Sequence, residues 1–221
     1  MALPEKKVSL VVIRRLPRYY RYLGELLAQD IKRISSKELS KKMNVTASQI
    51  RQDLNCFGGF GQQGYGYNVE YLYKEISQIL GLDVGYSTII IGCGHLGHAL
   101  ANHGGFERRR FHLVGLFDNN PAKIGQEISG VEITDTNLLE DFIAKTKVDI
   151  AILALPKEGI LDISNRLVDC GIKGLWNFSA VDLEVQEKGK VAVENVHLSD
   201  SLMTLAYKIQ EREHHKNLTE E

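Results

Sequence analysis

The run Ile89-Ile90-Ile91-Gly92-Cys93-Gly94-His95-Leu96-Gly97 sets three glycines at GxGxxG spacing straight after an apolar stretch. That spacing suits a strand-to-helix turn around a phosphate. Gly92 permits the tight turn, Gly94 lets a pyrophosphate approach the backbone, and Gly97 lets the helix pack on the strand. The free amides at the helix start favour an anion. The backbone of Ile91, Cys93, His95 and Leu96 completes the cradle. Asp118 follows 21 residues after Gly97, at the end of the next apolar run. A carboxylate there can hydrogen-bond both ribose hydroxyls and would repel a 2′-phosphate, so NAD+ or NADH is favoured over the phosphorylated forms. Asn119 and Lys123 flank the adenosine in this reading, the alternative for Lys123 being a simply solvated side chain. Ala154-Leu155-Pro156 and Asn177-Phe178 end later apolar runs and are candidates for the surroundings of the nicotinamide ring. The bland alternative is a glycine turn in a sheet protein with no ligand.

A second group of side chains suits nucleic acid. From Ala47 to about Cys56, Ser48, Gln49, Arg51, Gln52 and Asn55 surround inward-facing Ile50 and Leu54. Arg pairs with guanine, and Gln or Asn with adenine, in the major groove. Arg14, Arg15, Arg18, Lys37, Lys41 and Lys42 are candidates for phosphate contacts, which position without specifying. The glycine-rich stretch from Phe57 to Tyr67 suits a β-hairpin wing that carries Gln62, Gln63 and Tyr65. The alternative is a solvated polar helix in a small helical domain.

Catalytic and metal signals are weak. The histidines are scattered, and His214-His215 reads as a solvated tail pair. Cys56, Cys93 and Cys170 have neither zinc-ligand nor CxxC spacing. A thiol sensor at Cys56 or Cys93 needs an exposed thiolate, and inert reduced thiols are the default.

The elements that must position these residues follow from periodicity. Residues 8–30 read as a helix interrupted at Pro17. Ser35 with Glu38 forms a capping box for a second helix, and Thr46 caps the third. Residues 69–80 return to helical spacing, and 81–85 read as a hinge. Strands are expected at 88–91, 113–117, 150–155 and 174–177, with helices at 96–103, 138–147 and 159–170. That alternation gives an α/β fold with a parallel, doubly wound sheet. Residues 181–196 are irregular or β. Ser199-Asp200 caps a last helix with Leu202, Leu205, Ala206 and Ile209 on one face, a stripe that must be buried on its own domain or on a partner.

The bulk properties agree. The 221 residues allow two modest domains. Residues 1–80 hold 13 Lys+Arg against 7 Asp+Glu, and the rest hold 14 against 21, so a basic half (+6) is joined to an acidic half (−7). A basic half suggests a polyanion partner. No apolar run is long enough to span a membrane, and no signal peptide is legible, so a reduced cytoplasmic setting is expected.

Several stretches together resemble a known family. Ile50-Arg51-Gln52-Asp53-Leu54 leads into Phe57-Gly58, followed by Gly64-Tyr65-Gly66-Tyr67-Asn68-Val69. The glycine fingerprint, Gly115-Leu116-Phe117-Asp118-Asn119-Asn120-Pro121, Trp176-Asn177-Phe178 and Val193-Glu194-Asn195-Val196 come after in order. The chain resembles the Rex redox-sensing transcriptional repressors. The resemblance implies a winged-helix DNA-binding domain (1–82), a Rossmann NAD-binding domain (83–198) and a C-terminal domain-swapped helix (199–216). It further implies a homodimer on palindromic operator double-stranded DNA, released by NADH and permitted to bind by NAD+. In the family an Arg, a Tyr and an Asp form a switch network. Arg21 matches the first, but His103 stands in place of the Tyr and His197 in place of the Asp. An imidazole cannot replace an anion facing Arg. Gln62 and Gln63 also stand where basic residues often occur, which lowers the expected salt dependence.

Two rivals follow from the same residues. One is a small NAD-dependent dehydrogenase, although only 43 residues follow Phe178, too few for a usual catalytic domain. The other is a DNA-binding protein whose Rossmann half serves only dimerisation.

Overall fold

Pro17 decides how the chain begins. A proline in the first turn of a helix forfeits no hydrogen bond. Here α1 (Leu10–Ile13) stops before it and α2 (Leu16–Ala28) restarts with it. The computed structural model describes residues 8–62, 65–184 and 191–219. β1 (Arg33–Ile34) leads into α3 (Ser36–Met43). The capping box is present in both directions. Glu38 N–H donates to Ser35 Oγ at 3.1 Å, and Ser35 N–H donates to the Glu38 carboxylate at 2.8 Å. Asn44 turns left-handed at φ 53° and ends α3. Thr46 accepts the Gln49 N–H and caps α4 (Ala47–Asn55). β2 (Gly61–Gln62) and β3 (Gly66–Asn68) form the wing hairpin, and β1 pairs with β3 on its other side. α5 (Val69–Ile79) packs on α2. One core serves all of these, with Leu16, Tyr19 and Leu23 meeting Leu39, Met43, Ile50, Leu54, Leu72 and Ile76.

The chain divides after Gly85 into two units. The second opens with β4 (Tyr86–Ile91), α6 (His95–Ala101) and β5 (Phe111–Asp118). A hairpin of β6 (Glu127–Ile128) and β7 (Val131–Asp135) precedes α7 (Leu139–Lys145). Then come β8 (Ile150–Leu153), α8 (Ile160–Asp169), β9 (Gly174–Asn177), β10 (Ala192–Asn195) and α9 (Leu198–Thr219). The sheet order is β10-β9-β8-β4-β5-β7-β6, parallel except for β6. Strand order therefore reverses at β4, and ligands of such sheets bind where the carboxyl ends of the strands flank that switch point. β4 and β8 read as continuous apolar runs because both of their faces are covered: Ile89, Ile91 and Leu153 join one core, while Ile90 and Ile152 join the other.

Three elements depart from the sequence expectation. The β6–β7 hairpin extends the sheet past β5, and two-residue β1 joins the wing. α9 begins at Leu198, so Ser199 and Asp200 lie inside its first turn rather than capping it. Its stripe is bare: Leu202, Leu205 and Ile209 are 67%, 52% and 48% exposed. Among the described residues, no helix is long and apolar enough to cross a membrane.

Candidate functional site

The glycine turn is built as its spacing requires. Gly92 has φ +95°, and a Cβ there would stand 2.5 Å from the Ala154 carbonyl oxygen. A Cβ on Gly97 would lie 1.9 Å from the Gly92 carbonyl oxygen, so only glycine lets α6 sit this low on the turn. Gly94 differs. Nothing lies within 4 Å of its Cβ position, which leaves the space above the turn open. No side chain caps α6, so its first amides are available to an anion.

Asp118 closes the turn. Its carboxylate accepts from Cys93 N–H (2.8 Å), Asn120 N–H (2.9 Å) and the Lys123 ammonium (2.9 Å). Burial raises its pKa, but the Lys123, Asn120 and Cys93 donors outweigh burial and leave it below the ordinary carboxylate value. Three of about four acceptor positions are filled. The remaining one is on Oδ1, which accepts only the Asn120 N–H, while Oδ2 takes both Cys93 and Lys123. Lys123 is the partner of Asp118 and not merely solvated.

Ala154, Leu155 and Pro156 follow β8 directly, with Ala154 beside Gly92. Phe178 follows β9 and packs on Trp176 at 4.7 Å between ring centroids. Asn177 lies at the same strand end, but its side chain is fully buried and already engaged. It donates to Val181 O (2.7 Å) and Asn195 Oδ1 (2.8 Å) and accepts from Ser179 N–H (2.9 Å). It therefore shapes the rim of the crevice through the loop it holds. His95 is exposed, and Asn119 lies just past β5. Cys93 is buried, and burial pushes its thiol up to about 11, with Asp118 adding to the effect. That is the opposite of a thiolate sensor. Cys56 is exposed, and its thiol donates to Gln52 O.

On α4, Ser48, Arg51, Gln52 and Asn55 are exposed, while Gln49 is half-buried. Arg51 reaches Ser36 Oγ at 3.1 Å. Tyr65 is exposed at the wing tip, with Arg33 over its ring at 6.0 Å. Gln62 lies in β2, and Gln63 falls outside the described residues. Two expected phosphate contacts have other work. Arg15 forms a bidentate pair with Asp53, and Arg18 donates to Met43 O at the end of α3. Asp53 was not singled out from sequence. It lies three residues after Ile50 on the inward stripe of α4, and a charge in that position was the signal.

Arg21 is exposed, with its guanidinium 5.5 Å from the Tyr22 ring. His103 packs on Phe106 at 4.5 Å. His197 Nε2 meets Asp182 Oδ1 at 2.7 Å, so the imidazole that stands in place of the family's Asp has a carboxylate of its own beside it. The Asp182 hydrogen bond raises the His197 pKa above 6.5. A raised value means the charged pair is complete below 6.5 and is lost as pH rises through the shifted value. Asp182→Asn is expected to return the His197 titration midpoint, followed by NMR, to the ordinary range. An unchanged midpoint would show that the pair does not form.

Residues 7–55 match the family model "Putative DNA-binding protein N-terminus", and residues 83–181 match "CoA binding domain". The redox-sensing transcriptional repressor Rex of Thermoanaerobacter pseudethanolicus is 60% identical over 212 residues, covering 96% of this chain and 94% of the relative. The Rex protein of Clostridioides difficile is 57% identical over 209 residues, covering 95% and 99%. This chain belongs to the Rex family. A crystal structure of RSP in complex with β-NAD+ and operator DNA matches with a TM-score of 0.87 at 58% identity, covering 98% of this chain and 99% of RSP. RSP in complex with β-NADH matches with the same score at 56% identity, covering 97% of this chain and all of RSP. RSP is described as a Rex-family repressor. Rex relatives are named for repression and not for a reaction, which favours a regulator over the dehydrogenase.

Proposed function

We infer that this chain is a transcriptional repressor that senses NADH against NAD+, with NADH releasing it from operator DNA and NAD+ permitting binding. One observation carries the reading: an open glycine turn closed by a buried carboxylate shares a chain with a capped helix-turn-helix and wing. For the sensor to work, NADH must favour the DNA-incompetent state more than NAD+ does. The nicotinamide rings differ by one charge, and the rim at Ala154, Leu155, Pro156 and Phe178 is apolar. Ser48, Gln49, Arg51, Gln52 and Asn55 read the major groove, with the wing residues Gln62, Gln63 and Tyr65 beside it. Arg21, His103 and His197, the last with Asp182, are the candidates for coupling the two events.

The repressor acts as a homodimer in this reading, on a palindrome and in the cytoplasm. The bare stripe of α9 is the support, since such residues need cover. Leu205→Glu is expected to shift sedimentation toward monomer and to cost operator affinity. An unchanged dimer would remove α9 from the interface.

The domains are assigned as DNA-binding (1–82), NAD(H)-binding (83–198) and swapped helix (199–216). Asp118 with Lys123 sets cofactor choice. Asp118→Ser is expected to lower NADH affinity about tenfold through a lost charged hydrogen bond. The same change frees Lys123 to meet a 2′-phosphate, so NADPH gains on NADH in fluorescence titrations. An unaltered NADPH-to-NADH ratio would sink this assignment.

The deciding experiment is fluorescence anisotropy of the full chain on a palindromic A/T-rich duplex, titrated with NADH and separately with NAD+. Release by NADH alone supports the reading. Indifference to both nucleotides overturns the sensor and leaves the Rossmann half a dimerisation role.

A further inference from the structure

Asp53 is fully buried on the inward face of α4, between Ile50 and Leu54. A carboxylate has about four acceptor positions, and here all four are filled. Oδ2 accepts from Arg15 Nε (2.7 Å) and the Tyr19 hydroxyl (2.9 Å). Oδ1 accepts from a terminal Arg15 nitrogen (2.6 Å) and the Gln49 side-chain nitrogen (2.9 Å). Arg15 and Tyr19 belong to the start of α2, so the carboxylate ties α4 to a second helix. Burial opposes the charge on Asp53, but the Arg15, Gln49 and Tyr19 hydrogen bonds outweigh it and hold the pKa below the ordinary value. The group is an anion at neutral pH.

An anion at that position decides how Gln49 points. A glutamine amide carries one acceptor oxygen and two donor hydrogens. Free, it can turn either edge outward. Facing a filled carboxylate it can only donate, because its oxygen would be repelled. Gln49 lies in the first turn of α4, and helix-turn-helix proteins bring the N-terminal residues of their second helix to the base edges.

We propose that Asp53 sets the base preference of α4 by holding Gln49 with its carbonyl oxygen turned away from the clamp as an acceptor. The proposal rests on the assignment of α4 as the recognition helix. In the major groove only adenine and cytosine present an exocyclic amino donor. The second Gln49 N–H can add adenine N7, so adenine is the favoured base. Asp53 touches no base. It is a positioning residue acting through Gln49.

The test is a competition scan with the full-length protein and every single-base variant of one operator half-site. The parent should prefer adenine at one position by about tenfold, within the range of a good base contact. Gln49→Ala should abolish that preference and leave other positions unchanged. Asp53→Asn keeps the shape but offers Gln49 a donor, so the amide can turn over. Adenine preference at the same position should then fall several-fold or give way to guanine or thymine. A purely structural Asp53 would weaken all sequences equally, and that result overturns the proposal. So does a Gln49→Ala scan that matches the parent everywhere. In both cases NADH release by the parent shows that the repressor reading itself survives. A parent that binds no duplex at all would remove that reading first. One readout needs no Asp53 variant. The Gln49 side-chain NH2 signal in parent 15N NMR spectra should be displaced by the carboxylate, and a signal at the free-amide position overturns the lock.

Discussion

Gly97→Ala is expected to cost about ten- to a hundredfold in NADH and NAD+ affinity. The added Cβ would stand 1.9 Å from the Gly92 carbonyl oxygen and 2.9 Å from its carbon. Both are backbone atoms, so no flexible side chain can move aside. Gly92 has no slack of its own, because at φ +95° it already lies against the Ala154 carbonyl. The start of α6 must therefore lift, and its amides leave the place where an anion would sit. Overpacking of this kind costs roughly 1–3 kcal/mol in well-packed sites. Gly94→Ala is the control. Its Cβ meets nothing within 4 Å, so the free protein keeps its melting temperature while the ligand loses room. Calorimetry and thermal melts on both variants read the difference. A Gly97→Ala protein whose nucleotide affinity stays within threefold of the parent would contradict this account of the turn.

Asp53→Ala should unfold the DNA-binding unit or leave it barely stable. The change strands a guanidinium and a hydroxyl that are aimed at each other's former partner. Breaking a buried pair typically costs about 3–5 kcal/mol, and Arg15 retains some solvent, so roughly 2–4 kcal/mol is expected. That is a large share of a domain's stability. A denaturation curve should lose its winged-helix transition, and operator binding should go with it, while NADH binding persists. Loss of less than about 0.5 kcal/mol would be the response of an ordinary surface residue and would refute the clamp. Acid should act in the same direction. The Asp53 pKa is lowered in the folded state, so its contribution is complete above the ordinary carboxylate value and is lost as pH falls through the folded one.

Much of this architecture was legible because local chemistry and global fold agree. Ser35 with Glu38 and Thr46 with Gln49 cap helices where their spacing requires it, and Pro17 can only open a helix. The glycine turn was legible since each glycine answers a different steric demand. The β6–β7 hairpin was not, because Glu127–Asp135 mixes charges with a few apolar residues and only Ile128 and Ile133 are well buried. Two buried residues cannot establish a period. Asp53 was missed for a different reason. A carboxylate in a polar helix reads as solvated until the partners that neutralise it, 34 and 38 residues away in sequence, are seen beside it. The spent amide of Asn177 and the filled carboxylate of Asp118 likewise depend on contacts that no linear pattern records.

The knot at Asn177 has a dynamic meaning. Among the described residues β10 is an edge strand that pairs with β9 only, and edge strands are normally the first to fray. Here Asn177 bonds Asn195 side chain to side chain, Val196 N–H returns to Asn177 O, and Asn195 Oδ1 also takes the Leu183 N–H. Peeling β10 away would cost the buried Asn177 amide its bond to Asn195 and release the Leu183 N–H with it. Local opening therefore has no cheap first step at this corner. The end of β9, its following loop, and the strand that leads into α9 are therefore expected to exchange amide hydrogens as one cooperative unit.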